Sequence, residues 1–142
     1  MPKIFQLVYL STAVEDISYT DIQDILEESR RHNAENNITG VLIFREGFFL
    51  QALEGTQAAV QSLVKKIKED DRHFSLRVLA EGENDNRVFE KHPMVFLDGD
   101  IEANLTAELI DLCSSCFQAK PSQGTSILAM VRKLGDSASQ FQ

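Results

Sequence analysis

Along residues 3–10 apolar side chains recur at every second position, so Phe5, Leu7 and Tyr9 share one face of an expected first strand. The period then lengthens. Ser18 followed by Asp21 has the form of a capping box and opens a helix whose inner stripe is Ile22, Ile25, Leu26 and Ser29. The helix runs out near Asn36-Asn37, with Gly40 just beyond. VLIF and FFLQAL then read as two strands joined by Arg45-Glu46-Gly47, whose glycine can take the positive φ of a tight hairpin. Thr56 is the expected N-cap of a second helix, striped by Val60, Leu63, Val64 and Ile67 and ended by the polar break EDDRH. Residues 74–80 and 94–97 read as two further strands, separated by the acidic, turn-rich connection EGENDNRVFEKH. The order β-α-β-β-α-β-β predicts an α+β, ferredoxin-like sandwich, a mixed sheet with two helices on one face. After Gly99 the pattern turns helical again in ANLTAELIDLCSSCF. Pro121 breaks it, and a second short helix runs through Ile127, Val131 and Leu134. The division expected is a domain at 1–98 and a C-terminal helical extension at 99–142.

Several polar residues interrupt this pattern at positions it assigns to the interior. Phe49, Gln51 and Leu53 share a strand face that is otherwise apolar. Either that face is exposed or Gln51 is buried and bonded; a buried amide left without partners costs about 1–3 kcal/mol, so the second case implies something polar lying against the sheet. Continuing the first helix's stripe from Ser29 lands on His32 and Asn33, and stepping from Leu63 on the second helix reaches Lys66 and Asp70. Taken singly, each fits an ordinary role: Tyr9 as a core aromatic, Asn33 at a helix end, Lys66 and Asp70 as a surface pair. Together with Tyr9 they line a groove between the helices and the sheet that suits a flat heteroaromatic ligand bonded along one edge.

Charge and cysteine content narrow the partners. The net charge of −8 and the absence of a basic cluster with interleaved aromatics argue against direct binding of nucleic acid. No apolar run has the length of a membrane span, and the N-terminus enters a strand at once, which predicts a cytoplasmic protein. Cys113 and Cys116 form a lone CxxC on the apolar side of a helical stretch, with no second pair and no later histidine. We read them as small buried hydrophobes rather than as a redox or metal site.

The motifs Tyr9-Leu10-Ser11, Arg31-His32-Asn33, Asn37-Ile38-Thr39-Gly40-Val41-Leu42, Phe49-Leu50-Gln51-Ala52-Leu53-Glu54-Gly55 and Asp71-Arg72-His73, with Phe89 and Met94, resemble those of a BLUF domain. This is a blue-light sensor that uses flavin, and the resemblance covers about residues 1–98. It implies FAD held noncovalently between the two helices, with FMN or riboflavin as alternatives. Asn33 matches the residue that bonds the pyrimidine edge, with His32 beside the ring. Lys66 and Asp70 match polar positions near the far pyrimidine edge, and Arg72 and His73 belong to the motif that closes the site toward the ribityl side. Gln51 matches the switching glutamine between Tyr9 and the ring, and Met94 the methionine of the last strand. The implied mechanism is electron and then proton transfer from Tyr9 to the excited flavin. Recombination leaves the Gln51 amide rotated or tautomerised, with no substrate consumed, so the chain is not expected to be an enzyme. Many members carry tryptophan two residues before that methionine. This chain has His92 there, followed by Pro93, and no tryptophan. His92 is read as a solvated loop residue. Output is expected through residues 102–135, to a cytoplasmic signalling protein or through a homo-oligomer. A flavin-dependent redox enzyme and a light-inert ligand-binding regulatory module are the competing classes.

Overall fold

The computed structural model describes residues 3–45, 47–87, 89 and 93–98. The expected C-terminal helices with Cys113 and Cys116, and His92, lie outside the described residues. Seven elements follow in the expected order: β1 (Ile4–Ala13), α1 (Tyr19–Glu35), β2 (Thr39–Arg45), β3 (Phe48–Gly55), α2 (Gln57–Lys68), β4 (His73–Asn84) and β5 (Val95–Asp98). They form one five-stranded sheet in the order β4-β1-β3-β2-β5, with β2 and β5 parallel and the other pairs antiparallel. This is the mixed sheet of a ferredoxin-like sandwich.

The local signals act as their chemistry requires. Ser18 Oγ accepts from Asp21 N and Asp21 Oδ2 accepts from Ser18 N, both at 3.0 Å, so the capping box satisfies two backbone donors at the start of α1. Thr56 Oγ1 accepts from Ala59 N at 3.2 Å at the start of α2. Gly47, at φ 82°, turns the β2–β3 hairpin. α1 ends where the sequence reading puts it, with Asn36 as C-cap, and Asn37 takes the left-handed conformation at φ 56°. Gly40 sits inside β2, where a Cβ would lie 2.1 Å from Ala52 O. Its role is close strand packing rather than helix termination.

Two strands are longer than alternation alone suggests. β1 continues through Ser11 and Thr12 because small polar residues keep the ladder to β3. β4 continues to Asn84 because it is an edge strand paired with β1, where Glu81 and Glu83 cost nothing by facing water. Phe5, Leu7, Tyr9, Leu42, Phe49 and Leu53 on one sheet face pack against Ile22 and Leu26 of α1 and Val60, Leu63 and Val64 of α2. Residues of the opposite face, Val8, Leu10, Val41, Ile43, Leu50 and Glu54, are buried as well, so the three central strands are buried on both sides.

Candidate functional site

A cavity of about 420 Å³ opens between the helices and the sheet. Its walls are Ile25 and Ser29 of α1, Leu63 and Ile67 of α2, and Leu42 and Phe49 of the sheet, and its polar lining includes Tyr9 and Gln51. Each helix contributes a stripe, 25, 28, 29, 32 and 35 on α1 and 63, 66 and 67 on α2, with Arg31 beside the first and Asp70 just past the end of α2. Such an apolar slot with convergent polar groups is the usual form of a small-molecule site.

The sheet register creates its polar centre. Tyr9 of β1 stands directly opposite Gln51 of β3, which stands opposite Leu42 of β2. Tyr9 Oη donates to Gln51 Oε1, and Gln51 Nε2 donates to Met94 Sδ at 3.6 Å. Tyr9, Gln51 and Met94 are all buried. Burial pushes the Tyr9 phenol far above its ordinary range, and the Asp70 carboxylate adds to the shift, so the phenol holds its proton. The amide is thus bonded at both ends, to a strong oxygen donor and to a weak thioether acceptor.

Beside the cavity, Arg72 links α1 to the segment that follows α2. It donates from Nη2 to Glu28 Oε2 at 3.0 Å and to Asp70 Oδ2 at 2.5 Å, and from Nε to Asp70 Oδ1 at 2.9 Å. The hydrogen bond from Arg72 holds the Asp70 carboxyl below the ordinary range. Asp70 is therefore paired with Arg72 rather than with Lys66. His73 Nε2 donates to Ile67 O at 2.6 Å, and its ring meets Phe49 edge-on with centroids 6.4 Å apart. The histidine is anchored to the end of α2, and the arginine to Asp70 just beyond it and to Glu28 of α1.

Of the residues singled out in the sequence, the cavity brings together Tyr9, His32, Gln51, Lys66, Asp70, Arg72 and His73. Asn33 and Met94 are not part of its wall. Asn33 is fully buried and donates from Nδ2 to Pro93 O at 2.8 Å, while its Oδ1 has no partner among the described residues. Glu28, Arg31 and Glu35 line the cavity but were not singled out as site residues. For Glu28 and Glu35 the signal was the helical stripe shared with Ile25 and His32; Arg31 lies off that stripe. Glu54 was also missed: it is 1% exposed and accepts from Gln6 Nε2 at 2.9 Å, Thr39 Oγ1 at 3.2 Å and Phe89 N at 2.8 Å.

Comparison with known proteins agrees with this geometry. The family model described as "BLUF: Sensors of blue-light using FAD" matches residues 4–95. The photoactivated adenylate cyclase subunit alpha of Euglena gracilis is 36% identical over 87 residues, which are 61% of this chain and 8% of that protein. The chain thus spans less than a tenth of that relative's length. A solved bacterial light-regulated adenylyl cyclase is 34% identical with a TM-score of 0.68, covering 82% of this chain and 34% of the other. The structure titled "BlsA ground state" is 26% identical with a TM-score of 0.75, covering 91% and 87%. An FAD isoalloxazine suits what the cavity offers, apolar planks for a flat ring and the Gln51 amide at one edge, and the buried Asn33 beside His32, though outside the wall, keeps a carbonyl without a partner among the described residues.

Proposed function

Because the chain belongs to the BLUF family of blue-light sensors using FAD, we propose that Tyr9 and Gln51 are its switch and that Met94 reads the state of the Gln51 amide. The observation that carries this reading is the chain of hydrogen bonds from Tyr9 through Gln51 to Met94 at the polar edge of the cavity. Bound in the cavity, FAD supplies absorption of blue light and, once excited, a one-electron acceptor. Ile25, Leu63 and Ile67 would hold its ring between the helices. His32 and Asn33 would meet the pyrimidine edge, Lys66 and Asp70 its far side, and Arg72 and His73 the ribityl side.

On the protein side, Tyr9 keeps its proton in the dark and can give up an electron and then a proton, the proton leaving along the bond to Gln51 Oε1. Electron and proton then return to Tyr9, so no net oxidation remains, and the Gln51 amide is left turned by half a turn with its oxygen and nitrogen exchanged. The Tyr9 side keeps a hydrogen bond with its direction reversed. The Met94 thioether has no proton to give, so it faces an amide oxygen and its bond is lost. The change is therefore delivered to Met94, at the start of β5.

The chain acts as a sensor rather than as a catalyst, with residues 1–98 as the sensing domain and 99–142 as an extension that passes the signal on. The partner is a cytoplasmic signalling protein or a second copy of the chain. Relatives named as photoactivated adenylate cyclases support an effector that is controlled by the domain. Among the described residues no helix is long and apolar enough to cross a membrane. The test is a light-minus-dark absorption spectrum of the flavin-loaded protein with light scattering under both conditions. A small reversible red shift with a change in assembly or partner binding is expected. Steady turnover of a nicotinamide or thiol substrate instead would replace the sensor with a flavoenzyme.

A further inference from the structure

Met94 reaches Gln51 at the end of the connection between β4 and β5, and besides the exposed Lys3–Asp85 ion pair at its start the described part of that connection is fastened at two places. The first lies on the sheet face away from the cavity. Phe89 N donates to the buried Glu54 carboxylate at 2.8 Å, and Arg87 donates to Thr39 Oγ1 at 2.9 Å, Glu54 O at 3.1 Å and Asn37 O at 2.7 Å. The second lies on α1. Arg30 Nε donates to Met94 O at 3.1 Å, and Asn33 Nδ2 donates to Pro93 O at 2.8 Å. Residues 30 and 33 are one turn apart on the same side of the helix. Pro93 and Met94 precede β5, so their successive carbonyls need not alternate as they would in a strand, and both meet α1.

Met94 is therefore held from two directions: its backbone carbonyl by Arg30 and its sulfur by the Gln51 amide. Arg30 takes no part in the cavity wall, and nothing in the switch chemistry requires an arginine there. We infer that Arg30 is a positioning residue that holds the Met94 backbone where its sulfur accepts from Gln51 Nε2, and so sets the preference of the amide for its dark orientation. The inference rests on the reading of Gln51 as the switch. An N–H···S bond is weak and its acceptor sits on a flexible side chain, so it orients an amide only if the residue carrying it is fixed. Asn33 fixes the preceding carbonyl, and Arg30 is the contact on Met94 itself.

The experiment measures thermal return from the illuminated state in the full-length, FAD-loaded chain, comparing the parent with Arg30→Ala, Arg30→Lys, Met94→Leu and the Arg30→Ala/Met94→Leu pair. Arg30→Ala should bind flavin and show the same red shift. Its return should be slower by about three- to tenfold, the size expected from losing one net hydrogen bond that favours the dark arrangement. Arg30→Lys offers one donor on a flexible stem and should recover part of the rate. With Met94→Leu as background, removing Arg30 should change the rate by less than about twofold, because the sulfur it positions is gone. Hydrogen exchange of the residue 94–98 amides in the dark should be faster in Arg30→Ala, a readout independent of light. A normal red shift in the parent with an unchanged return in Arg30→Ala would overturn the inference alone. So would an equal slowing in both backgrounds, or unchanged exchange. A parent without any red shift would overturn the switch reading, and the inference with it.

Discussion

Two buried polar side chains on β3, Gln51 and Glu54, lie three residues apart and so face opposite sides of the sheet. Gln51 faces the helices, at the edge of a cavity, with one hydrogen bond at each end of its amide. Glu54 faces away, and its carboxylate gathers donors from β1, β2 and the connection that follows β4. The amide carries a donor and an acceptor in one planar group, so a half-turn gives it a second set of partners. A carboxylate accepts on both oxygens, and a half-turn returns it to the same state. The same strand thus holds a side chain suited to switching beside one suited to anchoring. Space makes the other half of the difference: Gln51 borders a cavity, whereas Glu54 is packed among bonded neighbours.

Removing each group should break a different property. Tyr9→Phe removes the donor to Gln51 Oε1 and the oxidisable phenol, so the light-induced red shift should vanish while flavin stays bound, as read by a difference spectrum and by protein-to-flavin absorbance ratio. A full shift in this variant would mean that Tyr9 is not the donor. Glu54→Ala should leave the donors of Gln6, Thr39 and Phe89 without their acceptor and cost about 3 kcal/mol or more in a denaturant melt. Gln51→Ala should cost less than Glu54→Ala, because only the Tyr9 hydroxyl loses its acceptor. Equal losses would erase the contrast between anchor and switch.

Smaller effects sharpen the picture at the cavity's margins. Asn33→Ala removes the bond to Pro93 and the buried carbonyl assigned to the flavin edge, so flavin affinity should fall by about three- to tenfold in equilibrium binding, one net hydrogen bond's worth. The Arg72–Asp70 ion pair is partly buried, with 25% and 27% of the side chains exposed, and after allowing for solvent screening Arg72→Ala should cost about 1 kcal/mol. Its pH dependence has a definite sign. Asp70 has a lowered folded pKa, so its pairing stabilises the fold above the ordinary carboxylate range and is lost as pH falls through the lowered value. Arg72→Ala should therefore differ from the parent near neutral pH and converge with it in acid. A difference that persists below the range in which Asp70 protonates would place the arginine's effect elsewhere.

Much of this was legible in the chain because the informative signals are local and periodic. Ser18 and Asp21 announce α1 three residues apart, and the 2-residue period places Gln51 beside Phe49 and Leu53 on a buried face. Arg30 left no such mark. Its acceptor is a backbone carbonyl far along the chain, and an arginine next to Arg31 on a helix reads as solvated. Glu54 was recoverable in principle, since FFLQALEG is apolar on both faces and so reads as a strand buried on both sides, leaving no solvent for a carboxylate. Its partners were not: Phe89 and Thr39 come together with it only through the register of β2 on β3 and the path of the connection.

The most direct test of Gln51 as the mobile member is the light-minus-dark spectrum of the flavin-loaded Gln51→Ala protein beside that of the parent. The parent should show a small red shift that reverts in darkness, and the variant, still yellow, should show none. A shift of the same size and position in Gln51→Ala would contradict the account, because the side chain whose reorientation is held to produce it would be absent.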